Sequence, residues 1–194
     1  AYLAETDATV EDLSRVAAEH SPTGTAFGNG LDGRRVTWAE FEAESVRAAN
    51  GLREHVSQGD RVAFLCEKSV EHVTLVNGAL KAGCVVSNLH VRASPATVRS
   101  CIDALRPQVL VVDEGTSAFF EERIRDGVTT DLDAVVTTGD PLAGYEQSIE
   151  SLTADEATDA PDVRVREEDV AVVMWTSGTT GEPKGWCHTN RGLF

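Results

Sequence analysis

Ten residues near the end of the chain, Thr176 to Gly185, read TSGTTGEPKG. Three glycines, three threonines, a serine and a lysine build no core. Glycines let a backbone adopt unusual dihedrals and approach a ligand closely. Successive N–H groups in such turns form nests for anions. The hydroxyls of Thr176, Ser177, Thr179 and Thr180 add donors, Lys184 adds positive charge, and Pro183 stiffens the exit. Together these suit a polyphosphate. A plain glycine–threonine hairpin would use similar residues. The apolar run ahead of the loop, the lysine behind it and the residue order favour a ligand. The loop is not a Walker A sequence, because Lys184 follows proline and Gly185 stands in the Ser/Thr place. No G-x-G-x-x-G fingerprint occurs either.

A loop of this kind needs a rigid strand behind it. VAVVMW (170–175) supplies one, running straight into the loop. Upstream, strands and helices alternate. A capping pattern at Thr9 predicts a helix with Val10, Leu13, Val16 and Ala17 on one face, ended by Ser21-Pro22. TAFGNGLDGRRVTW predicts a hairpin around its glycine turns. Thr37-Trp38-Ala39-Glu40 is a full capping box. RVAFLC, CVVSNL, QVLVVD and AVVTT predict short buried strands. Between them, Ser69 caps a helix closed by Gly83, and Ser94-Pro95 opens another. A further helix is predicted over about residues 116–126. The expectation is an α/β fold with a largely parallel, helix-covered sheet. Three parts follow: an α/β subdomain over 1–153, an acidic connection over 154–169 with a short strand at Val163–Val165, and the strand and loop over 170–194. In open α/β sheets ligands bind at the carboxyl ends of strands, where this loop stands.

The 194 residues carry 32 acidic against 17 basic side chains, a formal charge of −15. That balance excludes nucleic acid and anionic membrane surfaces as partners. Only Lys68, Lys81 and Lys184 are lysines. Scarce lysine with abundant carboxylate predicts a surface adapted to high salt, where screening relieves self-repulsion. Cys66, Cys84, Cys101 and Cys187 show no C-x-x-C spacing, so no zinc or dithiol motif is predicted. No signal segment or bilayer-length apolar run occurs, and a cytoplasmic protein is expected.

TSGTTGEPKG resembles the phosphate-binding signature of the adenylate-forming superfamily: acyl-CoA synthetases, luciferase and peptide-synthetase adenylation domains. That signature reads [ST]-S-G-[ST]-T-G-x-P-K-G, and all nine specified residues match. The stretch from Val36 to Asp113 also resembles the family's amino-terminal block, including its GDRVA strand and its AxxKAG helix end. The resemblance implies a two-step ligase. A carboxylate attacks ATP to give an acyl-adenylate and pyrophosphate, then a thiol, usually coenzyme A, takes the acyl group. It also implies that Thr176, Ser177, Gly178, Thr179, Thr180, Gly181 and Lys184 surround the β- and γ-phosphates, with Mg²⁺ accompanying the nucleotide; metal-binding residues stay unassigned. Where the family has Pro-Leu-Asn-Pro this chain has Asn88-Leu89-His90-Val91, which predicts a looser turn. Trp186 replaces an aliphatic residue, and Asn190-Arg191 replaces His-Arg. His188 reads as structural.

No segment resembles the family's adenine pocket, acyl pocket or catalytic lysine. The expectation is the amino-terminal portion of a carboxylate–CoA ligase, inactive by itself, with no catalytic residue present. Two alternatives stay open: an adenylating enzyme with another acceptor, such as a carrier protein, and a short non-catalytic nucleotide-binding domain. A reading frame continuing past Phe194 separates the last from the others. The acid and the oligomeric state are not encoded in these residues.

Overall fold

Seven short strands form one sheet in the order β7-β6-β5-β3-β4-β8-β9, and all neighbours run parallel except the last pair. The strands are β3 (Arg61–Leu65), β4 (Val85–Asn88), β5 (Val109–Val112), β6 (Ala134–Thr137), β7 (Gln147–Ser148), β8 (Val170–Thr176) and β9 (Lys184–Thr189). A separate antiparallel hairpin joins β1 (Thr25–Gly28) to β2 (Arg35–Thr37). This computed structural model describes residues 9–28, 33, 35–145, 147–154, 159–176 and 183–193. The predicted glycine turn over 29–32 and part of the acidic connection, 155–158, lie outside the described residues.

Alternation along each strand divides the core into two layers. Val62, Phe64, Val86, Val109, Val111 and Val136 face α2 (Trp38–Leu52) and α3 (Val70–Lys81). Ala63, Leu65, Leu110, Val112, Val135 and Val173 face α4 (Pro95–Leu105) and the helix that begins with α5 (Glu114–Phe119). The predicted parallel α/β sheet is therefore present, with helices on both faces.

The caps predicted at Thr37, Ser69 and Ser94 form where the sequence places them, whereas the one predicted at Thr9 does not: Glu11 is the N-cap of the first helix and makes no side-chain cap bond. Thr37 and Glu40 make the reciprocal box, with Thr37 N–H donating to Glu40 Oε2 at 2.8 Å. Ser69 and Ser94 accept from the N3 amides of α3 and α4. Gly83 ends α3 at φ +75°, a conformation that suits glycine.

Four features differ from expectation. The first helix, α1 (Asp12–His20), starts three residues late, and Leu13 is 40% exposed. It docks instead through Ser14, whose hydroxyl donates to Glu42 on α2 at 2.6 Å. The helix after β5 starts at Asp113, which caps it with Thr116, then widens into a π turn over Phe120–Ile124 and tightens into a 3₁₀ turn at Arg125–Gly127. Val163–Val165 is not a strand: it is irregular, and its middle residue, Arg164, gives its carbonyl to the Gln58 side chain at 2.8 Å rather than to a ladder. The two-residue β7 and the single helical turn α6 (Ile149–Leu152) are too short to leave a periodic signal.

Candidate functional site

β8 and β9 form the hairpin that carries the glycine-rich loop. β8 runs parallel to β4, so its carboxyl end emerges on the same edge of the sheet as those of β3, β4, β5 and β6. The two ends of the loop, Thr176 and Lys184, are direct register partners. Thr176 Oγ1 donates to the Lys184 carbonyl in a long 3.4 Å contact. Both residues are exposed, and the Lys184 ammonium has no ion-pair partner among the described residues. Ser177, Gly178, Thr179, Thr180 and Gly181, the remaining predicted phosphate ligands, lie outside the described residues.

A groove of about 310 Å³ adjoins the two ends of the loop. Leu89, Val98, Cys101 and Trp175 line it with apolar surface, and His90, Arg92, Thr176 and Pro183 complete it. One wall is the turn after β4, where the family's two prolines are missing. Hydrogen bonds hold it instead. Asn88 Oδ1 meets His72 Nε2 at 2.8 Å, and Leu89 N–H donates to the Phe64 carbonyl at 2.8 Å. Arg92 N–H donates to His90 Nδ1 at 3.0 Å, and Ala93 N–H to the His90 carbonyl at 2.9 Å. Two side-chain and two backbone hydrogen bonds thus span the turn where the family's prolines stand.

The other openings on this edge are unsuited to phosphate. Between β3 and β5, where the winding of the sheet reverses, the crevice is filled: Asp113 accepts from the Glu67 amide, and Thr116 donates to the Leu65 carbonyl. A cavity of about 420 Å³ beside β5 and β6 is lined by Asp113, Glu114 and Asp140. Three carboxylates repel an anionic ligand. Lys184 is one of three exposed cations described on this edge, with Lys68 after β3 and Arg92 in the groove.

The remaining candidates resolve as structure. Cys66, Cys84 and Cys101 are buried, and burial raises their thiols, Cys84 to about 12 and Cys101 to about 11. Thiols held that high stay protonated and inert. Cys187 is exposed on β9. His188 is the register partner of Val172 in the hairpin. Among the described residues no three carboxylates, histidines or cysteines converge on a point, so they do not fit a resident metal ion. Asn190, for which the sequence offered no role, is 2% exposed. Its Nδ2 donates to the carbonyls of Arg166 and Asp169, and its Oδ1 accepts from Val10 N–H. It ties the end of the hairpin to both the acidic connection and the start of the chain. A buried asparagine after a strand is the one signal that marks it.

An open α/β sheet covered on both faces binds ligands at the carboxyl ends of its strands, where Thr176 and Lys184 stand. Comparison with known sequences makes this specific: the chain belongs to the AMP-binding enzyme family, whose model matches residues 14–194. It is 35% identical over 162 residues to the 3-hydroxybenzoate–CoA ligase of Aromatoleum sp. (strain CIB), covering 81% of this chain and 30% of that protein. It is 30% identical over 182 residues to the long-chain-fatty-acid–CoA ligase FadD13 of Mycobacterium tuberculosis, covering 93% and 35%. The chain thus spans about a third of the length of these curated relatives. Among solved structures, the N-terminal domain of FACL13 from M. tuberculosis superposes with a TM-score of 0.79 at 27% identity, over 94% of this chain and 44% of that one. An anthranilate CoA ligase, AuaEII, shares the fold with a TM-score of 0.85 at 24% identity, over 95% and 35%. No helix among the described residues is long and apolar enough to cross a membrane.

Proposed function

We propose that this chain is the amino-terminal portion of an ATP-dependent, AMP-forming carboxylate–CoA ligase, and that Thr176 to Lys184 hold the β- and γ-phosphates of ATP. The observation that carries the reading is the placement of Thr176 and Lys184. They face each other across a hairpin at the carboxyl edge of the sheet, with the lysine exposed and without an ion-pair partner among the described residues. CoA-ligase relatives of fatty and aromatic acids support the reaction class.

In this reading a carboxylate oxygen attacks the α-phosphorus of ATP and pyrophosphate leaves. The thiol of coenzyme A then attacks the acyl carbon of the adenylate and AMP leaves. Hydroxyls, backbone amides and the Lys184 charge assist the first step by holding the departing pyrophosphate and offsetting its growing charge. They donate hydrogen bonds and charge; none is a nucleophile or a base. Mg²⁺ would arrive with the nucleotide. The 194 residues alone would not turn over.

The test is carboxylate-dependent exchange of labelled pyrophosphate into ATP by the full-length protein, followed by consumption of free CoA thiol. Exchange with no thiol consumption removes the CoA-ligase reading and leaves an adenylating enzyme with another acceptor. No exchange with any of a panel of fatty, aromatic and amino acids removes adenylation.

We also propose a cytoplasmic protein whose surface is adapted to high salt, a reading that rests on its charge and not on the ligase reading. Of the three lysines, Lys81 is buried, so only Lys68 and Lys184 contribute ammonium groups to the surface. A net charge of −15 then rests on an arginine- and carboxylate-rich surface. The melting temperature of the chain is expected to climb as KCl rises from dilute buffer to the molar range, because screening relieves carboxylate repulsion. A flat or falling curve sinks salt adaptation.

A further inference from the structure

The strand that delivers the loop is lightly stitched to the sheet. β4 and β8 share a single register pair, Val86 with Val172, whereas β3 shares four pairs with β4 and four with β5. Past Val172 the hairpin leaves the backbone ladder. At that point the side chain of Ser87 takes over. Ser87 is fully buried on β4. Its Oγ donates to the Val173 carbonyl at 3.0 Å and accepts from Trp175 Nε1 at 2.8 Å. A buried hydroxyl in an apolar strand is costly unless bonded. Here both its donor and an acceptor site are used, and both bonds reach the loop hairpin.

Trp175 immediately precedes Thr176, the first residue of the loop. Its indole also reaches the other side of the hairpin. A Cβ built on Gly185 would stand 3.3 and 3.4 Å from two atoms of the indole ring and 3.0 Å from Val173 Cγ1. The glycine after Lys184 therefore leaves room for the ring. One side chain, anchored by one hydroxyl, touches the residues that bound the loop on both sides.

We propose that Ser87 and Trp175 are positioning residues: they form a clasp that sets the angle of the hairpin against the sheet, and with it the seat offered to the nucleotide's phosphates. The inference rests on the phosphate-binding reading above. The clasp acts through Thr176 and Lys184, which it holds in place.

The test uses Ser87→Ala, Trp175→Phe, the double variant and Lys184→Ala in the full-length protein, assayed by pyrophosphate exchange and by thermal melting. Ser87→Ala removes the hydroxyl. Trp175→Phe keeps an aromatic ring beside Gly185 and removes only the N–H donor. Each single variant is expected to raise KM for ATP about three- to tenfold, the scale of one hydrogen bond. KM for the carboxylate stays at the parent value. The double variant matches Ser87→Ala, because that variant already loses both bonds of the hydroxyl, whereas Trp175→Phe loses only the indole bond. A purely structural role gives a different pattern: fewer active molecules, a lower kcat and unchanged KM values. That pattern overturns the clasp, as do effects that multiply in the double variant. If both single variants bind ATP like the parent while Lys184→Ala is impaired, the clasp fails and the phosphate reading stands. If Lys184→Ala is also unimpaired, the phosphate reading has failed and the clasp falls with it.

Discussion

Replacing Lys184 with alanine is expected to lower carboxylate-dependent adenylation by the full-length protein by about 100-fold, the scale for removing one preorganised donor from developing charge. The melting temperature should stay within about 2 °C of the parent, since exposed substitutions away from packing cost little. The contrast between the two numbers is the content of the prediction. Lys184 is exposed on the edge strand, and no ion pair among the described residues holds it there. Its ammonium stands at the end of a hairpin on an edge whose other cavity carries Asp113, Glu114 and Asp140. Lys184→Arg keeps the charge but spreads it over a planar group, so partial recovery is expected. Measured exchange equal to the parent would remove Lys184 from the phosphate site, and a large drop in melting temperature would reassign it to the fold.

The fold was legible because its signals are local. A capping serine or threonine satisfies amides three residues away, so Thr37, Ser69 and Ser94 announce helices in the sequence itself. Strands buried on both faces need continuous apolar runs, and RVAFL, VLVV and AVVT are such runs. The loop was legible for another reason: a phosphate cradle needs small residues, hydroxyls and one cation in a fixed order. What stayed hidden depends on partners far along the chain. Ser87 looks like a stray polar residue in CVVSNL. Its role appears only when Trp175, 88 residues later, lies beside it. Val163–Val165 has the composition of a strand, yet a strand requires a free neighbour, and the Gln58 side chain takes the carbonyl of Arg164. Leu13 fits a helical apolar stripe, but α1 docks by hydrogen bonds, and periodicity has no means of registering that.

Lys81 shows why a lysine in a nucleotide-binding chain does not by itself mark a site. It lies at the end of α3, within the stretch GALKAG, and is 7% exposed. Its ammonium donates to Glu42 Oε1 at 2.9 Å and to the Glu11 carbonyl at 2.9 Å. Glu42 Oε2 accepts from Ser14, and Ser14 accepts from Asn77 at 2.8 Å. One network therefore joins α1, α2 and α3. Lys81→Ala leaves the Glu42 carboxylate, whose side chain is 17% exposed, without its cation. Breaking a buried pair on one side costs about 3–5 kcal/mol. In a chain of this size that lowers the melting temperature by roughly 10 °C. Replacing both partners with apolar groups, Lys81→Met with Glu42→Leu, is expected to recover most of the loss, because a well-packed apolar pair carries no desolvation penalty. The alternative is that Lys81 serves the ligand. In that case Lys81→Ala melts like the parent while adenylation falls, and the double variant stays inactive. The Lys81 ammonium is committed to two protein acceptors at 2.9 Å, whereas Lys184 is exposed at the end of the hairpin with no ion-pair partner among the described residues.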